Sequence, residues 1–151
     1  MIRVLFICHG NICRSTMAQF YFQYLVDSAG LQNEFLVDSA ATSTEEIGAD
    51  VDPRTRKVLE ENGVPCGHHA SRQITQEEYD DWDYIITMDM QNLRWLRRII
   101  KEDPANKISL LLSFTPSSAE IADPWYTHDF DTAYDEISYG CDCLFEQLTK
   151  K

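Results

Sequence analysis

The chain has 151 residues, of which 44% are hydrophobic and 25% are charged, and its formal net charge is −12. This size and composition are typical of one globular domain with a sizeable core, so we expect a single domain over residues 1–151. The negative charge argues against a nucleic-acid partner, because phosphate backbones are held by basic surfaces. No apolar run approaches the roughly 18 residues of a membrane span, and the run Ile2–Ile7 is too short for a secretory signal. We therefore expect a cytoplasmic protein without a membrane partner.

The five cysteines are an odd number, which disfavours a fold built only from disulfides. They include no C-x-x-C pair, and the adjacent His68 and His69 do not have the usual spacing of zinc ligands. We therefore expect free thiols in a reducing compartment, with neither a metal nor another cofactor.

Apolar runs and helical patterns alternate along the chain. Buried strands are predicted over Arg3–Cys8, Phe35–Ser39, Tyr84–Met88 and Lys107–Leu112. Helices are predicted over about 13–29, 53–62, 90–102 and 129–150. This alternation predicts an α/β fold, a single-domain doubly wound sheet of about four parallel strands with helices on both faces. Ligands of such sheets bind outside the carboxyl ends of the strands.

The segment CHGNICRS, residues 8–15, lies where the first predicted strand meets the first predicted helix. A cysteine is a strong nucleophile as a thiolate, which a helix N-terminus and a nearby arginine both stabilise. Gly10 and Asn11 tolerate left-handed backbone, which would let successive amides converge on an anion. Arg14 would add a planar fork suited to phosphate oxygens, and Ser15 would bond the thiolate of Cys8. These residues predict a phosphate-binding loop after the first strand.

The longer segment VLFICHGNICRSTMA resembles the opening of the low-molecular-weight protein-tyrosine phosphatases. Further matches follow in order: VDSAAT at 37–42, DPR at 52–54, SRQI at 71–74, ITMD at 86–89 and DPW at 123–125. The resemblance implies a monomeric, cofactor-independent hydrolase of phosphotyrosine in proteins or of small aryl phosphates.

The resemblance also implies which residues carry the reaction. Cys8 would attack phosphorus to form a phosphocysteine, while Arg14 and the loop amides would hold the phosphate. Asp123 would protonate the departing phenolate and then act as base towards water. The other residues expected to contact phosphate or substrate are His9, Gly10, Asn11, Ile12, Cys13, Ser15, Trp125 and Tyr126.

Five residues have further implied or open roles. Ser39 and His69 would support the loop by hydrogen bonds. Cys13 is open to two interpretations, a core thiol at a helix start or the partner of Cys8 in a reversible disulfide. Glu45 and Glu46 stand where animal relatives often have an aromatic residue, and two carboxylates there would disfavour acidic sequences around the phosphotyrosine.

Other functions share part of this pattern. Arsenate reductases have the same fold and loop but use further cysteines, and DDWDYIITMD at 80–89 has none. Protein-arginine phosphatases favour a threonine where this loop has Ile12, whose side chain narrows the room for a guanidinium. A phosphocysteine carrier or a pure anion-binding module would need no general acid, and Asp123 argues against both.

Overall fold

The computed structural model describes residues 1–117 and 119–150, which form a four-stranded parallel sheet with helices on both faces. The strands are β1 Ile2–Cys8, β2 Phe35–Ala41, β3 Tyr84–Thr87 and β4 Ile108–Leu110. They lie in the order β2-β1-β3-β4, and every pairing is parallel. Strand β1 is therefore central, and the chain changes direction across the sheet there. A crevice is expected at the carboxyl end of such a strand, which here is Cys8.

The helices are α1 Arg14–Ser28, α2 Pro53–Glu61, α3 Met90–Ile99, α4 Pro124–Thr127 and α5 Phe130–Thr149. Helices α1, α2 and α5 share one face of the sheet, where their apolar side chains join those of Val4 and Phe6. The opposite face of β1, with Leu5 and Ile7, packs against Leu96 of α3. The predicted doubly wound α/β fold is confirmed. None of the helices described here is long and apolar enough to cross a membrane.

Aspartates at the helix starts fix where the elements begin. Asp52 accepts a hydrogen bond from the backbone N–H of Arg54 at 2.8 Å, directly before Pro53, the first residue of α2. Asp89 and Asp129 cap α3 and α5 in the same way. A capping carboxylate accepts an N–H that has no partner within the helix, so these three starts were predictable from the sequence.

Several predicted elements end one to three residues away from the observed ends, and the differences at β4 and α3 are the most informative. The predicted strand Lys107–Leu112 is a strand only over Ile108–Leu110, and the chain continues as a 3₁₀ helix over Leu111–Phe114. Both leucines that begin this 3₁₀ helix are buried, and a buried apolar run does not reveal by its pattern whether it is extended or helical. Helix α3 ends at Ile99, three residues before the predicted end, because Ile100 has extended backbone angles.

Candidate active site

The loop between β1 and α1 is shaped by one left-handed residue. Asn11 has φ of 60°, as its residue type allows, whereas Gly10 has no positive φ, so the expectation for Gly10 was wrong. A Cβ at Gly10 would lie 3.4 Å from Cγ of Glu46, an ordinary van der Waals distance, so the Glu46 side chain lies directly beside the loop.

The sulfur of Cys8 is surrounded by hydrogen-bond donors. The backbone N–H groups of Asn11 and Ser15 point at Sγ over 3.3 and 3.4 Å, and Ser15 Oγ lies 3.1 Å away. Ser15 Oγ already accepts a bond from Asn11 Nδ2 at 2.7 Å, which leaves its own hydrogen free for the sulfur. Two amides and a hydroxyl thus stabilise negative charge on Cys8, whose side chain is buried.

The buried Ser39 and the half-buried His69 hold Asn11 in its unusual conformation. Its amide nitrogen donates to Ser39 Oγ at 2.9 Å, and its amide oxygen lies 2.8 Å from Nε2 of His69. Because an amide oxygen only accepts, His69 donates from Nε2. Burial lowers the pKa of His69 below its ordinary value, which keeps this imidazole neutral. Ser39 and His69 therefore contact the loop as the resemblance implied.

Arg14 is buried beside two carboxylates. Its Nη1 donates to Asp89 Oδ2 at 2.6 Å and to the carbonyl of Ile121 at 2.7 Å, while Nη2 lies 3.5 Å from Asp123 Oδ2. Burial disfavours the charged guanidinium, but the negative charges of Cys8, Asp123 and Asp89 outweigh it and raise the pKa of Arg14. Its Nε is buried and has no hydrogen-bond partner within residues 1–117 and 119–150. A buried donor of this kind needs an acceptor, which a bound anion would supply.

Asp123 has a structural task as well as a place in the site. One carboxylate oxygen accepts the backbone N–H of Trp125 at 3.0 Å and so caps helix α4, and the other oxygen faces Arg14. Its side chain is 23% exposed, so the carboxylate remains accessible. The cap fixes its orientation, and a carboxylate fixed in this way suits proton transfer.

These groups meet at a cavity of about 230 Å³ above the loop. Its lining consists of Cys8, His9, Gly10, Ile12, Cys13, Glu45, Glu46, Asp123, Trp125 and Tyr126. A second cavity, of about 260 Å³, reaches Arg14 and shares His9, Asp123 and Tyr126 with the first. Asn11, Ser15 and Ser39 are fully buried and line neither cavity, so they act on the loop from beneath.

The cavity combines aromatic and acidic groups. Trp125 and Tyr126 are 46% and 75% exposed at its edge. Glu45 pairs with His9 Nε2 at 2.9 Å, and Glu46 lies against the loop. A flat ring in the cavity would therefore contact apolar surfaces, while a cationic group beside that ring would lie near the carboxylates of Glu45 and Glu46.

Cys13 shares the cavity with Cys8, and both are free thiols. Burial, followed by the negative charges of Asp52 and Cys8, raises the pKa of Cys13 well above its ordinary value. Cys13 therefore stays protonated at neutral pH. Among the residues that the structure describes, no group of three or more His, Cys, Asp or Glu side chains is placed to hold a metal ion.

The contact between Asp89 and Arg14 was not predicted from the sequence, although Asp89 follows β3 closely and β3 lies beside β1. Neighbouring parallel strands bring their carboxyl ends to the same edge, so an acidic residue there was a recognisable candidate partner for the loop.

Comparisons with known proteins agree with this geometry. The family model described as low molecular weight phosphotyrosine protein phosphatase matches residues 3–151. A relative of that name from Gallus gallus is 40% identical over 149 residues, which cover 95% of this chain and 94% of the relative. The crystal structure of YfkJ from Bacillus subtilis matches with a TM-score of 0.93 at 35% identity, covering 100% of this chain and 98% of that one. DARP, a drosophila arginine phosphatase, matches with a TM-score of 0.88 at 30% identity, covering 100% of this chain and 99% of that one. The chain belongs to the low molecular weight phosphotyrosine protein phosphatase family.

Proposed function

We propose that this protein hydrolyses phosphotyrosine and other aryl phosphate monoesters through a phosphocysteine on Cys8. One observation carries the proposal: a nucleophile that accepts from two backbone N–H groups shares a cavity with an accessible carboxylate. Beside them lies a buried arginine whose Nε has no hydrogen-bond partner among residues 1–117 and 119–150. A phosphate dianion supplies the acceptors that these donors need. Membership of the phosphatase family supports the same activity.

In the first step, the Cys8 thiolate attacks phosphorus in line with the bond to the phenolic oxygen. The S–P bond forms while the P–O bond breaks, and its electron pair leaves with the phenolate. Arg14 and the loop amides stabilise the charge on the equatorial oxygens. Asp123, in its acid form, gives its proton to the departing oxygen.

In the second step, water attacks the phosphocysteine. Asp123, now a carboxylate, takes a proton from this water as the new P–O bond forms. The S–P bond breaks and its electron pair returns to sulfur, which releases inorganic phosphate and restores the thiolate of Cys8. The step needs no oxidant, reductant or second substrate.

The residues around the cavity favour an aryl group over a guanidinium. Ile12 and Trp125 offer apolar surfaces at the positions where the group attached to phosphate would lie. Phosphoarginine hydrolysis is the second candidate function, because an arginine phosphatase is among the similar structures. Comparing kcat/KM for a phosphotyrosine peptide and for the matching phosphoarginine peptide separates the two.

We propose further that the protein acts as a monomer in the cytoplasm. The groups to which the proposed reaction assigns a role, Cys8, Arg14 and Asp123, all lie in one chain, which supports a monomer. Enzymatic activity that stays constant per chain on dilution, with one monomeric peak in size-exclusion chromatography, is the expected result.

The nucleophile is tested by comparing wild type with Cys8→Ser on p-nitrophenyl phosphate. We expect the variant to lose activity by about 10⁴-fold or more, since a hydroxyl is far less ionised than a thiol in this loop. Circular dichroism checks that both proteins are folded. Turnover that survives the substitution contradicts the assignment of Cys8, and phosphorylation of Cys8 without turnover indicates a carrier instead.

A further inference from the structure

We propose that Arg54, a residue outside the cavity, is a positioning residue that holds Trp125 in place as a wall for the aryl ring. The inference rests on the proposed function, because it concerns the same substrate group. Arg54 does not line the cavity and is assigned no contact with phosphate. It would act only through the aromatic ring that it stacks against.

The guanidinium of Arg54 lies close to two aromatic rings. Its Cζ is 5.2 Å from the ring centroid of Trp125 and 4.7 Å from that of Phe130. Trp125 is 46% exposed and belongs to α4, a helix of only four residues. A half-exposed ring on so short a helix has little core packing to fix it, so the stacked cation is a main determinant of its position.

Arg54 also binds a buried carboxylate through two hydrogen bonds. Its Nε and Nη2 donate to the two oxygens of Asp52, over 3.1 and 2.9 Å. Asp52 is buried, and its backbone N–H donates to the carbonyl of Ile12 at 2.9 Å. A continuous set of contacts therefore joins the phosphate-binding loop, through Asp52 and Arg54, to Trp125.

The third nitrogen of the guanidinium reaches the end of α4. Nη1 of Arg54 lies 3.5 Å from Nδ1 of His128, which ends that helix in a left-handed conformation with φ of 61°. A guanidinium only donates, so Nδ1 of His128 accepts. One side chain thus contacts the first turn of α4, the residue after it and Phe130, the first residue of α5.

Only an arginine makes all of these contacts at once. A planar guanidinium stacks on rings through its faces while its edge forms a two-bond fork with a carboxylate. A lysine keeps the positive charge but presents a single nitrogen, which reaches Asp52 or the rings and not both. Arg54→Lys therefore removes the arrangement without removing the charge.

The chain offers a matched control. Arg98 stacks on Trp95 with 4.5 Å between Cζ and the ring centroid, and both residues lie in α3 away from the cavity. Arg98→Lys makes the same chemical change at a second arginine–tryptophan pair. It is expected to leave the kinetics of aryl phosphate hydrolysis unchanged.

The kinetic test compares wild type, Arg54→Lys and Arg98→Lys on p-nitrophenyl phosphate. We expect Arg54→Lys to raise KM by about 3- to 10-fold, the effect of losing one cation–π contact and its geometry. Because the backbone bond from Asp52 to Ile12 does not involve the Arg54 side chain, the Ki of inorganic phosphate should change by less than about 2-fold. An unchanged KM overturns the proposal, and so does an equal rise in KM and in the Ki of phosphate, which would indicate a general loss of loop structure.

A spectroscopic test does not depend on activity. The chain has three tryptophans, so protein labelled with 5-fluorotryptophan should give three ¹⁹F resonances, of which Trp125→Phe identifies one. Arg54→Lys is expected to shift the resonance of Trp125 and leave that of Trp95 unchanged, and Arg98→Lys is expected to do the reverse. If the chemical shift of the Trp125 resonance is the same in wild type and in Arg54→Lys, the proposal is overturned. A wild type that fails to hydrolyse aryl phosphates contradicts the proposed function, while the resonances still report on Arg54.

Discussion

The two carboxylate oxygens of Asp123 have different contacts, one within helix α4 and one towards Arg14. One caps α4 through the N–H of Trp125, and the other faces Arg14 at 3.5 Å. Asparagine keeps an oxygen that can cap the helix but has no proton to give to a leaving group. The Asp123→Asn variant therefore separates the structural role from the chemical one.

We expect Asp123→Asn to lower kcat by about 10²- to 10⁴-fold for phenols that are poor leaving groups, and by much less for good ones. The measurement is a series of aryl phosphates whose phenols differ in acidity, with the logarithm of kcat plotted against that acidity. The variant should have the steeper slope. Equal slopes for variant and wild type would mean that Asp123 does not protonate the leaving group.

The carboxylates of Glu45 and Glu46 give a prediction about the sequence around the phosphotyrosine. We expect a higher kcat/KM for peptides with lysines beside the phosphotyrosine than for peptides with glutamates at the same positions. Replacing both residues by glutamine should reduce this preference by about two- to five-fold, the range for exposed ion pairs. Glu77→Gln, an exposed change outside the cavity, is the control. A preference that the double variant retains in full would place its origin elsewhere.

The residues themselves indicate a role only where the chemistry is local in sequence. Cys8 and Arg14 are separated by five residues at one strand–helix junction, so their roles follow from the loop itself. Asp123 required the resemblance to a family, because an aspartate before a proline is also common in turns. Arg54 was not predicted at all, since the ring on which it stacks lies 71 positions further along the chain and no local pattern connects the two.

At the scale of elements, helix α5 contacts the 3₁₀ helix Leu111–Phe114 through a glycine. A Cβ on Gly140 would lie 2.7 Å from Cγ of Leu111 and 3.2 Å from both of its methyl carbons. The glycine therefore allows the two elements to approach closely, at a point where helix propensity alone would favour alanine by about 1 kcal/mol.

We expect Gly140→Ala to lower the free energy of unfolding by about 1–3 kcal/mol, because overpacking outweighs the gain in propensity. Urea unfolding followed by circular dichroism measures it. Ser138→Ala in the same helix lacks this contact and should change the free energy by less than about 0.5 kcal/mol. A Gly140→Ala protein more stable than wild type would show that Leu111 can move aside without cost.

A capping aspartate marks the start of three helices that were predicted, although α4, which Asp123 also caps, was not predicted. Aspartates cap α2, α3 and α5, and each of them accepts a hydrogen bond from a backbone N–H in the first turn of its helix. The change from β4 to a 3₁₀ helix at Leu111 has no such marker, because the same apolar residues serve a buried strand and a buried turn. The parallel arrangement of the sheet was predicted, whereas the strand order β2-β1-β3-β4 was learned from the structure.

The stability of the whole molecule should depend on the protonation of His69. Burial lowers its pKa in the folded state, whereas in the unfolded chain it takes up a proton near pH 6.5. The unfolded state therefore binds more protons below that pH, so the contribution of His69 is complete above about pH 6.5 and is lost progressively as the pH falls.

Comparison with His69→Gln isolates this effect, since glutamine can still donate to Asn11. We expect the free energy of unfolding of wild type to decrease more than that of the variant between about pH 7.5 and 5. Urea unfolding across this range gives both curves, and the other histidines contribute equally to each. Parallel curves would mean that His69 titrates alike in the folded and unfolded chains.

The central position of β1 affects when the active-site loop can fold while the chain is being synthesised. Cys8 and Arg14 leave the ribosome early, but β1 pairs on one side with Tyr84–Thr87, and the carboxylates that face Arg14 come later still. A growing chain that ends before these residues lacks one neighbour of its central strand and both counter-charges of its buried arginine. The reactive loop is encoded first and becomes ordered late, so a nascent chain of this protein carries the phosphatase signature long before it can act as one.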